Sequence, residues 1–289
     1  MPHERTPMST VTMHDASTIE VEIHGEGPVL LLPVNPKPVE GPQADAMRAW
    51  GADPALGRSL IEGLRDAFTV VAFDYEGHVL TSPKPETLTP ANITRDLLAV
   101  ADAAGADRFA YYGYSWLALS GLQLALRTDR LSALVMGGFP PVGGPYREML
   151  RVTGAAHEMA LAGPSDRTSQ TPEAGDWSSV EVKTSPDQTG QFVTLYEELQ
   201  TFDDLTAQAR VTCPRLCFVG SADDIEYGER WGDVRVGIAS AVIGRRAEIE
   251  SLGWDVTVLD GLDHMGAMQP PAVLPVVRPW LEERIGGRG

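Results

Sequence analysis

Three kinds of side chain, far apart in this chain, add up to one kind of chemistry. Ser115 lies in Gly113-Tyr114-Ser115-Trp116-Leu117, between a short aromatic run from Phe109 to Tyr112 and an apolar stretch that reads as a helix. A serine at a sharp strand-to-helix turn has its hydroxyl held clear of its neighbours. The next amide, Trp116 N–H, has no partner inside the helix it opens and faces whatever the hydroxyl attacks. That setting is what gives a G-x-S-x-G motif its meaning. Here Leu117 replaces the second glycine, and the bland alternative is a serine that only begins a helix.

A serine hydroxyl is a weak nucleophile near neutral pH. It needs a base within hydrogen-bond reach, and the base needs a third group to orient it. His3 and His14 lie in the polar start of the chain, His24 precedes a turn, and His157 lies in an irregular region. His78 follows an earlier strand and reads as a structural histidine tying a loop. His264, in Gly261-Leu262-Asp263-His264, follows a late strand, and Asp223, in Gly220-Ser221-Ala222-Asp223-Asp224, follows the strand before it. Ser, then Asp, then His is one of the few chain orders in which this triad occurs. Asp224 competes with Asp223 by spacing, while Asp263 reads as an exposed loop charge.

The elements that must position these groups show in the hydrophobic pattern. Thr18 to His24 alternates apolar and polar residues, as a half-exposed strand does. Val29 to Leu32, Phe68 to Phe73, Leu131 to Met136, Arg215 to Gly220 and Asp255 to Leu259 are short apolar runs, expected of strands covered on both faces. Between them lie helical stretches: Leu56 to Asp66, a segment opened by Thr89-Pro90 and closed by Gly105, Ile238 to Leu252, and a last helix ending near Ile285. Strand–helix alternation implies an α/β fold with a mostly parallel, doubly wound sheet, which places ligands at the carboxyl ends of its strands. Asn35, Asp74, Ser115, Gly138, Asp223 and His264 all follow strands.

Residues 1–17 read as a flexible tail, and 140–206 as an insertion in which the alternation lapses. Pro33 to Leu56 reads as a long Pro/Gly-punctuated connection carrying Met47 and Trp50.

Composition narrows the partners. The 289 residues carry a formal charge of −17, which argues against nucleic acid or an anionic membrane surface. No apolar run reaches membrane-spanning length and the start lacks a secretory signal, so a cytoplasmic location is expected. Cys213 and Cys217, in one strand, would lie roughly 13 Å apart, too far for a disulfide. They leave no zinc pattern, and no metal or cofactor is expected.

Taken together, residues 18–285 resemble the α/β-hydrolase superfamily, in its serine-nucleophile branch with an inserted cap. Leu30-Leu31-Leu32-Pro33-Val34-Asn35 resembles its oxyanion strand, Asp74-Tyr75-Glu76-Gly77-His78 its D-x-x-G-H segment, and Gly113-Tyr114-Ser115 its nucleophile elbow. Gly220 to Asp223 resembles its acid loop and Gly261 to His264 its histidine loop, while 140–206 falls where the family inserts a mainly helical cap. The resemblance implies a core of 18–139 and 207–289, Ser115 as nucleophile, His264 as base and then acid, and Asp223 as its orienting group. It implies oxyanion donors at the backbone N–H of Trp116 and of Asn35 or Val34. Tyr114, Trp50, Met47, Trp177 and Met265 are candidates for the substrate pocket.

Three departures stand out: Pro33-Val34 for the family's His-Gly, Val79 for a small residue after His78, and Leu117 in the elbow. The expected activity is cleavage of an ester, thioester or lactone of a small apolar molecule through an acyl-enzyme. Other readings are a carbon–carbon bond hydrolase or non-hydrolytic biosynthetic enzyme on the same fold, and a small-molecule receptor on a hydrolase scaffold.

Overall fold

The computed structural model describes residues 8–163 and 184–286. An eight-stranded sheet is its centre. Strands β1 (Met8–Thr12), β2 (Thr18–His24) and β3 (Val29–Leu32) lead into helices α1 (Gly41–Ala49) and α2 (Leu56–Leu64). Then follow β4 (Thr69–Ala72), α3 (Tyr75–Thr81), α4 (Pro90–Ala103), β5 (Phe109–Tyr114), α5 (Trp116–Ala125) and β6 (Leu131–Gly137). Helices α6 (Tyr146–Ala162), α7 (Pro186–Glu198) and α8 (Asp204–Ala207) separate β6 from β7 (Arg215–Gly220). A hairpin of β8 (Asp224–Tyr227) and β9 (Val234–Gly237) precedes α9 (Ile238–Gly244) and α10 (Arg246–Ser251). The chain ends with β10 (Trp254–Leu259), α11 (His264–Ala267) and α12 (Pro270–Ile285).

Strand order in the large sheet is β1-β2-β4-β3-β5-β6-β7-β10. Only β2 runs against its neighbours; β4 through β10 are parallel. Successive side chains of a strand point to opposite faces, and the apolar runs divide accordingly. Leu31, Val71, Tyr111, Leu134 and Cys217 join one core with Ile93 and Leu97 of α4 and Leu122 of α5. Leu30, Val70, Tyr112, Val135 and Phe218 join a second core with Ile61 of α2 and Val277 of α12. Helices on both faces explain why these strands read as unbroken apolar runs. Cys213 and Cys217 are buried and unpaired.

Two stretches differ from the sequence expectation. Residues 8–17, expected to be part of a flexible tail, belong to the fold: 8–12 pair with β2 in the register Val11↔Ile19, and 13–17 turn into β2. Val11 and Met13 are buried in the first core. The polar residues beside them find distant partners: His14 Nδ1 meets Asp96 Oδ2 at 2.9 Å, and Ser17 Oγ meets both His78 Nε2 and Lys84 Nζ at 3.0 Å. The supposed open connection after Pro33 contains α1, which starts with Pro42 in its first turn.

Candidate active site

The turn that carries Ser115 is built by backbone geometry. Ser115 sits at φ 56°, ψ −130°, between β5 and α5. A non-glycine residue there is strained. Its N–H donates to Gly137 O at 2.8 Å, and its carbonyl accepts from Ala118 and Leu119 N–H at 2.9 and 3.2 Å. Although Ser115 occupies the helix N-cap, its side chain caps nothing. Among the described residues, Trp116 N–H makes no hydrogen bond, as expected of a helix's first amide. Gly113 makes the turn possible: a Cβ there would lie 2.3 Å from Leu117 O. Tyr111 Oη–H holds that same carbonyl at 2.8 Å.

Two loops at the ends of β7 and β10 bring the acid to the imidazole. Ser221 N–H donates to Leu259 O (2.8 Å) and Ala222 N–H to Leu262 O (2.9 Å). Gly220 permits the approach, since a Cβ there would lie 2.1 Å from Leu262 O. His264 Nδ1 then lies 2.8 and 3.0 Å from the two carboxylate oxygens of Asp223. With Nδ1–H donating to the carboxylate, Nε2 is left as the basic nitrogen. Burial raises the Asp223 pKa, and its bond to His264 pulls the other way. Tyr114 Oη–H donates to His264 O at 2.8 Å and its ring lies 5.1 Å from the imidazole, fixing the loop from below.

The competing carboxylates are engaged elsewhere. Asp224 accepts from Arg235 Nη2 at 2.9 Å and from Ser240 N–H at 3.0 Å. Asp263 caps α11 by accepting from Gly266 N–H at 2.7 Å. His78 is buried against Ser17, and burial lowers its pKa.

Ser115 and His264 line one cavity of about 540 Å³, which Trp116, Asn35 and Val34 also line. Among the described residues no hydrogen bond joins Ser115 Oγ to the imidazole. Val34 N–H donates to Leu32 O at 2.9 Å, closing a three-residue turn around Pro33. That removes Val34 as an oxyanion donor and leaves Asn35 N–H on this loop. Gly57 of α2 lets the loop pack closely, because a Cβ there would lie 2.0 Å from Asn35 O.

Of the expected pocket residues, Tyr114, Met47 and Met265 line the cavity and Trp50 does not. Gln43 and Met47 share one face of α1, four residues apart, whereas Trp50 lies past the helix end where the chain turns at Gly51 (φ +77°). Trp177 lies outside the described residues. Sequence reasoning missed Met149 of α6, Tyr196 of α7, Ile225 of the β8–β9 hairpin and Glu76, all of which line the cavity. Glu76 sits inside the D-x-x-G-H segment, and its acidic side chain was the available signal. Among the described residues no three His, Cys, Asp or Glu side chains cluster as metal ligands, and no helix is long and apolar enough to cross a membrane.

No protein-family model matches the sequence. The fold does match solved structures along nearly its whole length. E-2-(acetamidomethylene)succinate hydrolase superposes with a TM-score of 0.63 at 17% identity, covering 96% of this chain and 100% of that one. A hydrolase from Pseudomonas aeruginosa gives 0.59 at 18% identity, with 96% and 99% covered. The chain has the α/β-hydrolase fold. A thermophilic esterase from Thermogutta terrifontis shares it, with a TM-score of 0.57, 17% identity, and 96% and 99% covered. By sequence, 75 residues are 39% identical to RutD of Klebsiella pneumoniae, named as a candidate carbamate hydrolase. That match takes in 25% of this chain and 28% of the relative's length.

Proposed function

We propose that this chain is a serine hydrolase that cleaves an ester, thioester or lactone of a small, mostly apolar molecule through an acyl-enzyme. One observation carries the reading. A serine on a strained, positive-φ turn and an Asp223-bound imidazole open onto the same largely apolar cavity. The fold neighbours named as hydrolases and esterases support it, as does the short resemblance to a protein named for carbamate hydrolysis.

In this mechanism Ser115 Oγ attacks the carbonyl carbon while its proton passes to His264 Nε2. The side chain caps nothing and is free to turn toward that nitrogen. Hydrogen bonds of this kind are often long without substrate and tighten in the complex. Negative charge moves to the carbonyl oxygen, where Trp116 N–H and Asn35 N–H receive it. Such donors contribute about 2.7–4 kcal/mol each in the transition state. The imidazolium, held by Asp223, then protonates the departing alkoxide or thiolate, which leaves as an alcohol or thiol, or stays tethered to the acyl chain in a lactone. Water deprotonated by the same nitrogen cleaves the acyl-enzyme and restores Ser115. Helices α6 and α7, within the expected cap of 140–206, contribute Met149 and Tyr196 to the cavity lining.

A fluorophosphonate probe tests this directly. Wild type is expected to become labelled on Ser115, and Ser115→Ala to remain unlabelled. Absence of wild-type labelling, or equal labelling of the variant, refutes the proposal.

A further inference from the structure

The cavity walls are mostly apolar, so each charged group among them calls for a partner. Lys37 has one, since its ammonium lies 2.6 Å from Glu20. Asp53 accepts from Ala55 N–H and Ser59 Oγ–H, both at 2.8 Å. Asp74 accepts from Gly77 N–H at 2.9 Å as the cap of α3. Glu76 is different. Its one protein contact among the described residues is the Trp116 indole N–H, 3.2 Å from Oε1. The residue lines the cavity and is exposed. No arginine or lysine forms an ion pair with Glu76 or Asp74 among the described residues.

This is a negative wall without a cation, next to the nucleophile. Glu76 touches the side chain of Trp116, the residue that directly follows Ser115. Exposed at the cavity and without a cation partner among the described residues, this carboxylate is available to an incoming ammonium through a charge-assisted hydrogen bond. An anionic group placed there would instead be repelled.

We propose that Glu76 is a specificity-determining residue that receives a cationic amine carried by the substrate. The inference deepens the hydrolase reading and rests on this cavity being the substrate site. Apolar walls would hold the carbon chain of such a substrate while the ammonium rests on the free Glu76 oxygen. The alternative is that Glu76 only orients the Trp116 ring, which is also held by Tyr75 and Phe192 at ring distances of 6.1 and 5.4 Å. Glu76→Gln separates the two, because glutamine keeps an acceptor for the indole and loses the charge.

The experiment measures binding without turnover, in the Ser115→Ala background. The probes are methyl 6-aminohexanoate and methyl heptanoate, which match in length and differ in having an ammonium or a methyl at the end. Calorimetry is expected to show the amine ester binding at least about tenfold tighter, as a charge-assisted hydrogen bond implies. Adding Glu76→Gln is expected to cut that ratio about tenfold. Equal binding of the two probes, no binding of the amine ester, or a ratio that survives Glu76→Gln overturns the proposal. Fluorophosphonate labelling of the parent reports separately on the hydrolase reading. A cation preference in an unlabelled protein would therefore refute the chemistry and keep the recognition.

Discussion

Ser115→Gly should make the protein more stable while destroying its proposed activity, and the size of the gain follows from the backbone. At φ 56°, ψ −130° a side chain is strained, by about 1–3 kcal/mol in such regions. Glycine relieves that strain and returns part of the gain, roughly 0.4–1 kcal/mol, because its unfolded chain is more flexible. Nothing else of consequence is lost, since the hydroxyl caps no helix. The net expectation is a stabilisation of about 0.5–2 kcal/mol. Ser115→Ala is the control: it removes the same hydroxyl, keeps Cβ and keeps the strain, so it should stay within about 0.5 kcal/mol of wild type. Urea unfolding followed by circular dichroism measures both, with equal m-values required for the comparison. In a thermal scan the glycine variant should melt about 2–4 °C higher per kcal/mol gained. A glycine variant no more stable than the alanine variant would refute the claim that this turn stores strain.

Two further expectations concern charged groups. Asp223→Asn should lower kcat by about 10⁴, because the amide no longer selects the tautomer that leaves Nε2 basic, whereas Asp224→Asn should leave turnover within a few-fold. Steady-state rates on any ester that labels or turns over distinguish them, and the reverse ranking would move the acid to Asp224. The Asp15–Lys84 pair should make stability fall in acid. Burial pushes the Asp15 pKa up, but its bonds to Lys84 and Ser17 outweigh that and hold it well below the usual carboxylate range. A depressed carboxylate pKa means the folded state binds fewer protons, so this contribution is fully present above about pH 4 and disappears as pH falls through the lower folded value. Lys84→Met should cost about 1–3 kcal/mol at pH 7 and flatten that acid loss. Melting temperatures at pH 7 and pH 3 check it, and an unchanged slope would count against the pairing.

The sheet was legible because its parallel strands are covered on both faces and therefore read as short apolar runs, as in Leu30-Leu31-Leu32 and Val70-Val71-Ala72. The acid and histidine loops were legible because Gly220 and Gly261 sit where local chain geometry demands small residues. Residues 8–17 were misread for a physical reason. His14, Asp15 and Ser17 look solvent-seeking in isolation, yet their partners Asp96, Lys84 and His78 lie 61 to 82 positions away. Short elements were hidden too. The β8–β9 hairpin has four residues per strand and is held by Asp224 contacts with Arg235 and Ser240, which no local periodicity reveals. Glu76 offered its charge within the D-x-x-G-H segment as a signal, but that no lysine or arginine among the described residues pairs with it shows only in the fold.

The three departures from the family pattern bear on whether the site works, and each has a local accommodation that leaves the reacting groups alone. Pro33 sits at the centre of the turn closed by Val34 N–H and Leu32 O. A proline's fixed φ near −65° suits the inverse γ-turn, whose central residue lies near −75°. The turn thus consumes the Val34 amide, and Asn35 after it lines the same cavity as Ser115. Val79 is buried in the first core, and its carbonyl accepts from Gln191 Nε2 of α7 at 2.9 Å. It thereby ties α3 to α7. Leu117 is tolerated because Gly113 alone provides the room that its carbonyl needs, with Tyr111 holding that oxygen from behind. Its side chain lines the cavity with Trp116. The departures therefore fall on the cavity wall and its supports, and the proposed proton transfer from Ser115 to His264, with Asp223 orienting the imidazole, involves none of them. Under the proposed hydrolase reading, altered specificity with retained hydrolysis is the expected consequence.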